Sequence, residues 1–288
     1  MKLALAPFGV SPPSSFKAFL LRIERLAAEA ALAGADLLAL PEYAAMVCAG
    51  AEIKAPDIEA ELIYAVDKSS EILTALVEIA KRHKLYILGG SLPMRDSDGK
   101  IRNRAPFIAP SGQLEFQDKQ AMTRFEEEEW GIAGGAVPKV FETKFGRIGI
   151  SICYDSEFPL HVRPQVAAGA KLILVPCCTA SPAGFNRVRF SARARAVENQ
   201  CYTAVIPLIG EADWSGSIDV NVGHAALFTP CDVGFPDDGV AVAGALNEPK
   251  LVFAKVDFES IDGVRQNGAV LNHRDWSTVP PSPIVPLA

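Results

Sequence analysis

No CxxC pair and no two histidines at ligand spacing occur in this sequence, so the usual signatures of a zinc site are missing. The six cysteines (Cys48, Cys153, Cys177, Cys178, Cys201 and Cys231) show no framework spacing and are read as reduced thiols. Histidine is scarce: His83, His161, His224 and His273 are all there are. A Cys/His hydrolase needs an imidazole beside its thiol, and His161, on the helix expected after Cys153, should point away from it. Basic residues are outnumbered, with a formal charge of -6 and a pI near 5.4, which argues against a nucleic-acid partner. No apolar run approaches the roughly 20 residues that span a bilayer. The opening MKLALAPFGV is interrupted by Pro7 and followed by no small-residue cleavage site. A cytoplasmic protein with no membrane partner is therefore expected.

What is present is the composition of an α/β globular protein, with 49% hydrophobic and 22% charged residues. LALAP (3–7) reads as a buried strand, 16–33 as a helix with Ser14 or Ser15 as N-cap and Gly34 as its stop, and LLAL (37–40) as a second strand. Strand, helix, strand with brief connections indicates parallel βαβ units. A helix over 69–83 and a strand at LYILGG (85–90) follow. Turn signals in DSDGK and PSGQ, flanking RAPFIA and LEFQD, predict an antiparallel meander near 100–118 and hence a mixed sheet. From 145 the βα pattern resumes: FGRIGISIC, a helix near 159–168, KLILVP, a helix over 186–199, and CYTAVIP, with later strands at HAALFTP and LVFAKVD. One domain over 1–275 and an extended Pro-rich tail over 276–288 are expected.

LAGADLLALP (32–41) and AAGAKLILVP (167–176) share A-G-A-x-L and a terminal proline in register. Any helix-Gly-strand junction resembles these ten residues, but two related halves would bring their strand ends to one edge, where ligands of parallel sheets bind. That arrangement would set Glu42 beside Cys177, with Cys153 ending a strand of the same type.

Each of these residues has an ordinary reading and a chemical one. A lone acid after a strand usually caps a turn, yet Glu42 leaves a buried apolar strand, where desolvation raises a carboxyl pKa and suits it to general base work. A lone cysteine is usually core, yet Cys153 ends IGISIC at a turn before a helix at Pro159, a setting that favours thiolate. Lys119 and the EEEE run after it are ordinarily solvated charges. Asp155 and Glu157 are expected to fix the turn into the Pro159 helix.

LPEY, then DK, then GISICYDSEFP, in that order and spacing, resemble the nitrilase superfamily of carbon-nitrogen hydrolases, over roughly 1–260 and including RARAVENQ. The resemblance implies an α-β-β-α sandwich with mixed sheets, protomers that associate through helices as a homodimer or higher homo-oligomer, and a triad carried by position onto Glu42, Lys119 and Cys153. It also implies a second glutamate after the lysine. Counting from Lys119 gives Glu126, counting back from WGIAGG gives Glu128, and Glu126 is preferred. In the implied chemistry the Cys153 thiolate attacks a small linear amide, Glu42 moves the protons, Lys119 and the Tyr154 backbone N–H hold the oxyanion, and a thioester is hydrolysed. No metal or organic cofactor is required. Cys178 and Thr179, after the KLILVP strand, are expected to line the pocket, whereas Arg187, Arg189, Arg193 and Arg195 are read as packing and ion-pair residues. Nitrile and N-carbamoyl substrates would use the same triad. A regulatory binding protein is the reading from another class, and selective reaction of Cys153 with thiol reagents is expected only of the enzyme.

Overall fold

In the computed structural model, residues 1–276 are described. The first half carries β1 (Lys2–Leu5), β2 (Phe8–Gly9), α1 (Phe16–Leu32), β3 (Leu37–Leu40), α2 (Ile58–His83), β4 (Tyr86–Gly89), β5 (Leu92–Arg95), β6 (Ile101–Ile108), β7 (Leu114–Asp118) and α3 (Arg124–Glu128). The second carries β8 (Val140–Thr143), β9 (Gly146–Ile150), α4 (Pro159–Ala167), β10 (Leu172–Cys177), α5 (Pro182–Asn199), β11 (Tyr202–Glu211), β12 (Val220–Asn221), β13 (Ala226–Phe228), β14 (Val240–Ala243), β15 (Val252–Lys255), α6 (Phe258–Asn267) and α7 (Asn272–Asp275).

Two mixed sheets result. One runs β15-β1-β3-β4-β6-β5 with β7 on β6, and the other β14-β13-β11-β10-β9-β8 with β12 and β2 on β11. Strand alternation explains the layering. In β1 and β3, Leu3, Leu5, Leu37 and Ala39 join the core that holds Ile148, Ile150, Leu172 and Leu174 of the opposite sheet. Their alternate neighbours Ala4, Leu38 and Leu40 face Phe19 and Ile23 of α1 and Ile72 and Leu76 of α2. Helices α4 and α5 cover the second sheet through Val162, Val166, Val188 and Ala192. The layers are α-β-β-α, as the resemblance implies.

The ten-residue echo is repeated in topology. β1-α1-β3-α2-β4 and β9-α4-β10-α5-β11 each lay down three adjacent parallel strands in the same order. β3 and β10 occupy equivalent middle positions, so their C-terminal ends meet at one end of the sandwich.

Two helices begin earlier than expected. Ser181 caps α5 by accepting from Gly184 N–H, and Pro182 stands at its first turn, a favourable position for a residue without an N–H, so the helix expected over 186–199 starts at Pro182. α2 begins after Asp57, whose side chain accepts from Ala60 N–H, and carries the buried acid Glu61 on its inner face, so charge masked its periodicity. The Pro-rich tail lies outside the described residues apart from Trp276, which packs under the Arg163 guanidinium at 4.7 Å. No helix among the described residues is long and apolar enough to cross a membrane.

Candidate active site

Glu42 follows β3 and Pro41 and is buried. The chain turns sharply there: Tyr43 is left-handed at φ 57°, and its N–H donates to Ser91 Oγ at 3.1 Å. Gly90, at φ 74°, presses on the same turn, since a Cβ there would lie 2.2 Å from the Pro41 carbonyl oxygen. Glycine is needed on both counts.

Lys119 leaves β7 with its backbone N–H held by Asn103 O at 2.9 Å. Its buried Nζ donates to Glu42 Oε1 at 2.8 Å and Glu126 Oε2 at 2.6 Å. An ammonium has three N–H donors, so one remains for a further acceptor. Glu126 closes a capping box with Thr123 at the start of α3, which turns its carboxylate inward. Tyr43 Oη donates to Glu126 Oε1 at 2.5 Å, and Asn103 Nδ2 donates to Glu42 Oε1 at 3.1 Å and to Glu126 Oε1 at 3.3 Å. Glu128 pairs with Arg124 at the surface instead. Glu127, Glu128 and Glu129 are the solvated face expected of the acidic run, and Glu126 departs from it.

Cys153 starts a single 3₁₀ turn after β9, buried and left-handed at φ 47°. A non-glycine residue pays strain for that conformation; here it bends the chain sharply at the end of a strand. Asp155 shapes the turn into α4 through its carbonyl, which accepts from Phe158 N–H at 3.2 Å, but its side chain does more. Its buried carboxylate accepts from Gln120 N–H at 3.1 Å and Ala121 N–H at 2.7 Å, tying the Cys153 turn to the segment after Lys119. Glu157 faces the cavity and lies 3.5 Å from Arg187.

Cys178 N–H donates to Glu42 Oε2 at 2.9 Å, its carbonyl accepts from the Cys153 thiol at 3.8 Å, and its own thiol donates to Asn221 Oδ1 at 3.1 Å. The contact to Glu42 is thus made by Cys178, one residue beyond Cys177. Thr179 lines the cavity with its hydroxyl committed to Val222 O. Tyr154 lines it too, its ring packed on Phe158 at 4.8 Å. His161 approaches Asp155 at 3.5 Å and His224 meets Gly244 O, so neither serves the Cys153 thiol.

These charges set one another. Burial first, then the Glu126 charge, push the Glu42 pKa up to about 7 against the pull of Lys119. Burial works against the Lys119 ammonium, but Glu42, Glu126 and Cys153 outweigh it and hold its pKa well above the usual lysine range. Burial also opposes the Glu126 charge, yet Lys119, Tyr43 and the Thr123 N–H keep it lowered. Burial and the Glu42 charge raise the Cys153 thiol well above an ordinary cysteine, so its resting form is the neutral thiol.

Above this group opens a cavity of about 350 Å³, large enough for a small molecule. Glu42, Lys119 and Cys153 border it with Trp130, Arg187 and the loop residues Gly216, Ser217 and Asp219. Tyr43, Asn103, Asp155 and Asn221 were not anticipated as site residues. Tyr43 and Asp155 had a signal, their places in LPEY and GISICYDSEFP; Asn103 and Asn221 reach the site by pairing across distant segments.

A buried Glu-Lys-Glu cluster beside a strand-end cysteine in a two-sheet sandwich defines a class, and the comparisons agree with it. The carbon-nitrogen hydrolase family model matches residues 4–266, and the chain belongs to that family. It is 32% identical over 262 residues to the probable hydrolase YhcX of Bacillus subtilis, covering 91% of this chain and 50% of that one; the chain spans half the length of that relative. It is 29% identical over 285 residues to omega-amidase NIT2 of Xenopus tropicalis, covering 95% and 94% of the two chains. In fold it resembles a CN-hydrolase superfamily protein from Xanthomonas campestris, at 20% identity and a TM-score of 0.78, over 98% of this chain and 99% of that one.

Proposed function

We propose that this chain hydrolyses the C–N bond of small linear amides through a thioester on Cys153. The observation that carries the reading is the Lys119 ammonium held between Glu42 and Glu126 at the floor of a cavity that also exposes Cys153. Relatives such as the Xenopus omega-amidase support an amide over a nitrile.

Glu42, with a pKa near neutrality, takes the proton as the Cys153 sulfur attacks the carbonyl carbon, so the neutral resting thiol is no obstacle. The developing oxyanion meets the third Lys119 N–H and the Tyr154 backbone N–H in the first turn after Cys153, which has no intrahelical partner. Glu42 returns the proton to the leaving nitrogen, and ammonia or an amine departs. It then takes a proton from water as the water attacks the thioester; collapse releases the acid and re-protonates the sulfur. Glu126 holds Lys119 in place. Ammonia release from a panel of linear amides, nitriles and N-carbamoyl compounds tests this, and turnover confined to nitriles would overturn the amide assignment.

The acid limb of kcat/KM follows from Glu42. Below its pKa the carboxyl is protonated and cannot accept the thiol proton, so kcat/KM should fall about tenfold per pH unit well below a midpoint near 7. A profile flat from pH 5 to 8 would assign the base elsewhere.

The chain is further proposed to pair with a second copy through α5. Phe190 is 54% exposed and Val197 38%; seven positions apart, they share a helix face. Glu198, by contrast, is held by Arg195 within the helix at 2.7 Å, so it is the weaker probe of association. Phe190→Glu should halve the mass measured in solution, and an unchanged mass would exclude this face.

A further inference from the structure

Glu61 is a fully buried acid that the proposed chemistry does not use. It lies in the first turn of α2, near the Asp57 cap, and its carboxylate takes four hydrogen bonds. Ser215 Oγ–H donates to Oε2 at 2.5 Å, Gly216 N–H to Oε1 at 2.8 Å, Ser217 N–H to Oε2 at 3.3 Å and Asp57 N–H to Oε1 at 3.1 Å. Ser215 Oγ in turn accepts from Ser217 N–H at 3.1 Å and Ile218 N–H at 3.0 Å. One carboxylate therefore satisfies, directly or through one hydroxyl, the Gly216, Ser217 and Ile218 N–H groups of the turn between β11 and β12. Gly216 fits against the start of α2, since a Cβ there would lie 2.9 Å from Ile58 Cγ2.

That turn is one wall of the cavity: Gly216, Ser217, Asp219, Val220 and Asn221 all border it. Its far end reaches the reacting groups. Asn221 Nδ2 donates to Ile218 O at 2.7 Å, Asn221 Oδ1 accepts from the Cys178 thiol, and Cys178 N–H donates to Glu42. The Glu42, Lys119 and Cys153 groups take the amide; the 216–220 stretch faces what the amide carries.

We infer that Glu61 is a positioning residue that fixes the β11–β12 loop as the specificity wall of the cavity, the surface that meets the acyl chain of the substrate. This rests on the amide hydrolase reading for the identity of the ligand, but not for the clamp itself. A carboxylate suits the task because two oxygens without hydrogens accept four donors, and hydrogen bonds to a charged acceptor are stronger than neutral ones. A glutamine would turn an N–H₂ group toward two of those donors.

The test uses Glu61→Gln and, as a milder variant that leaves the carboxylate and its backbone donors in place, Ser215→Ala. Hydrogen exchange is followed at Gly216, Ser217 and Ile218, and kinetics are measured with acetamide, which ends close to the reacting carbon, and hexanamide, whose longer acyl chain should meet the wall. Glu61→Gln should speed exchange at those three amides about tenfold, equivalent to about 1.4 kcal/mol of lost local protection, and leave β9 and β10 unchanged. It should raise KM for hexanamide about tenfold, with acetamide KM and both kcat values within about twofold. Ser215→Ala should move the same quantities the same way, by less. Unchanged exchange at 216–218, or equal losses on both amides, would overturn the inference. If the wild-type chain hydrolyses no amide, the catalytic reading fails, and the exchange measurement alone still decides whether Glu61 holds the wall.

Discussion

Cys153→Ala should lower kcat at least about 10⁴-fold, because in the proposed reaction that sulfur makes the bond that displaces the leaving nitrogen from the acyl group. The fold should survive. The substitution removes one buried atom and retains the backbone bend at φ 47°, so its cost should be about 1 kcal/mol. Circular dichroism and a thermal melt separate loss of chemistry from loss of structure. Activity near the wild-type level would dismiss Cys153 as the nucleophile. The site also changes what thiol labelling can show. Burial and Glu42 keep Cys153 as a neutral thiol, while Cys231 is exposed. A general thiol reagent should therefore reach Cys231 first, and only an amide-like electrophile that enters the cavity should prefer Cys153.

Lys119→Met should be the most destabilising of the single changes at the site. Lys119 is the cation that both Glu42 and Glu126 contact; without it two buried carboxylates face each other, and breaking a buried pair in this way costs about 3–5 kcal/mol. The loss should depend on pH in a defined direction. In the variant both carboxyls are buried without a counter-charge, so their folded pKa values rise above the unfolded ones. The folded state then binds more protons than the unfolded state, and stability falls as pH rises. The variant should melt closer to the wild type at pH 5 than at pH 8, and a second change, Glu126→Gln, should recover part of the loss by removing one charge. Equal melting of Lys119→Met and wild type at pH 8 would show that the ion pairs contribute nothing. Turnover should vanish in either case, since Lys119 is the cation that borders the cavity beside Glu42 and Cys153.

The sequence made the layers and the reacting residues readable for the same reason. Glu42 and Cys153 stand directly after runs of buried residues, so the strands that place them announce them, and the repeated helix-Gly-strand junction located their common edge. Lys119 was legible only by resemblance, because a lysine before an acidic run looks like any surface charge. The residues that hold these groups left less trace. Asn103 sits within β6, Asp155 pairs with amides more than thirty positions away, and Asn221 follows a loop with no periodicity. Glu61 was hidden most completely: an acid in the first turn of a helix is ordinarily there for the helix dipole, and nothing local reveals that three of its four partners lie beyond β11.

The account turns on the covalent step, and the most direct test is the mass of the protein quenched during turnover of a reactive short-chain amide, followed by peptide mapping. The predicted result is a gain equal to the amide minus ammonia, carried by the peptide containing Cys153 and abolished in Cys153→Ala. Turnover with the acyl group on Cys178 or another residue, or undiminished turnover in Cys153→Ala, would contradict it.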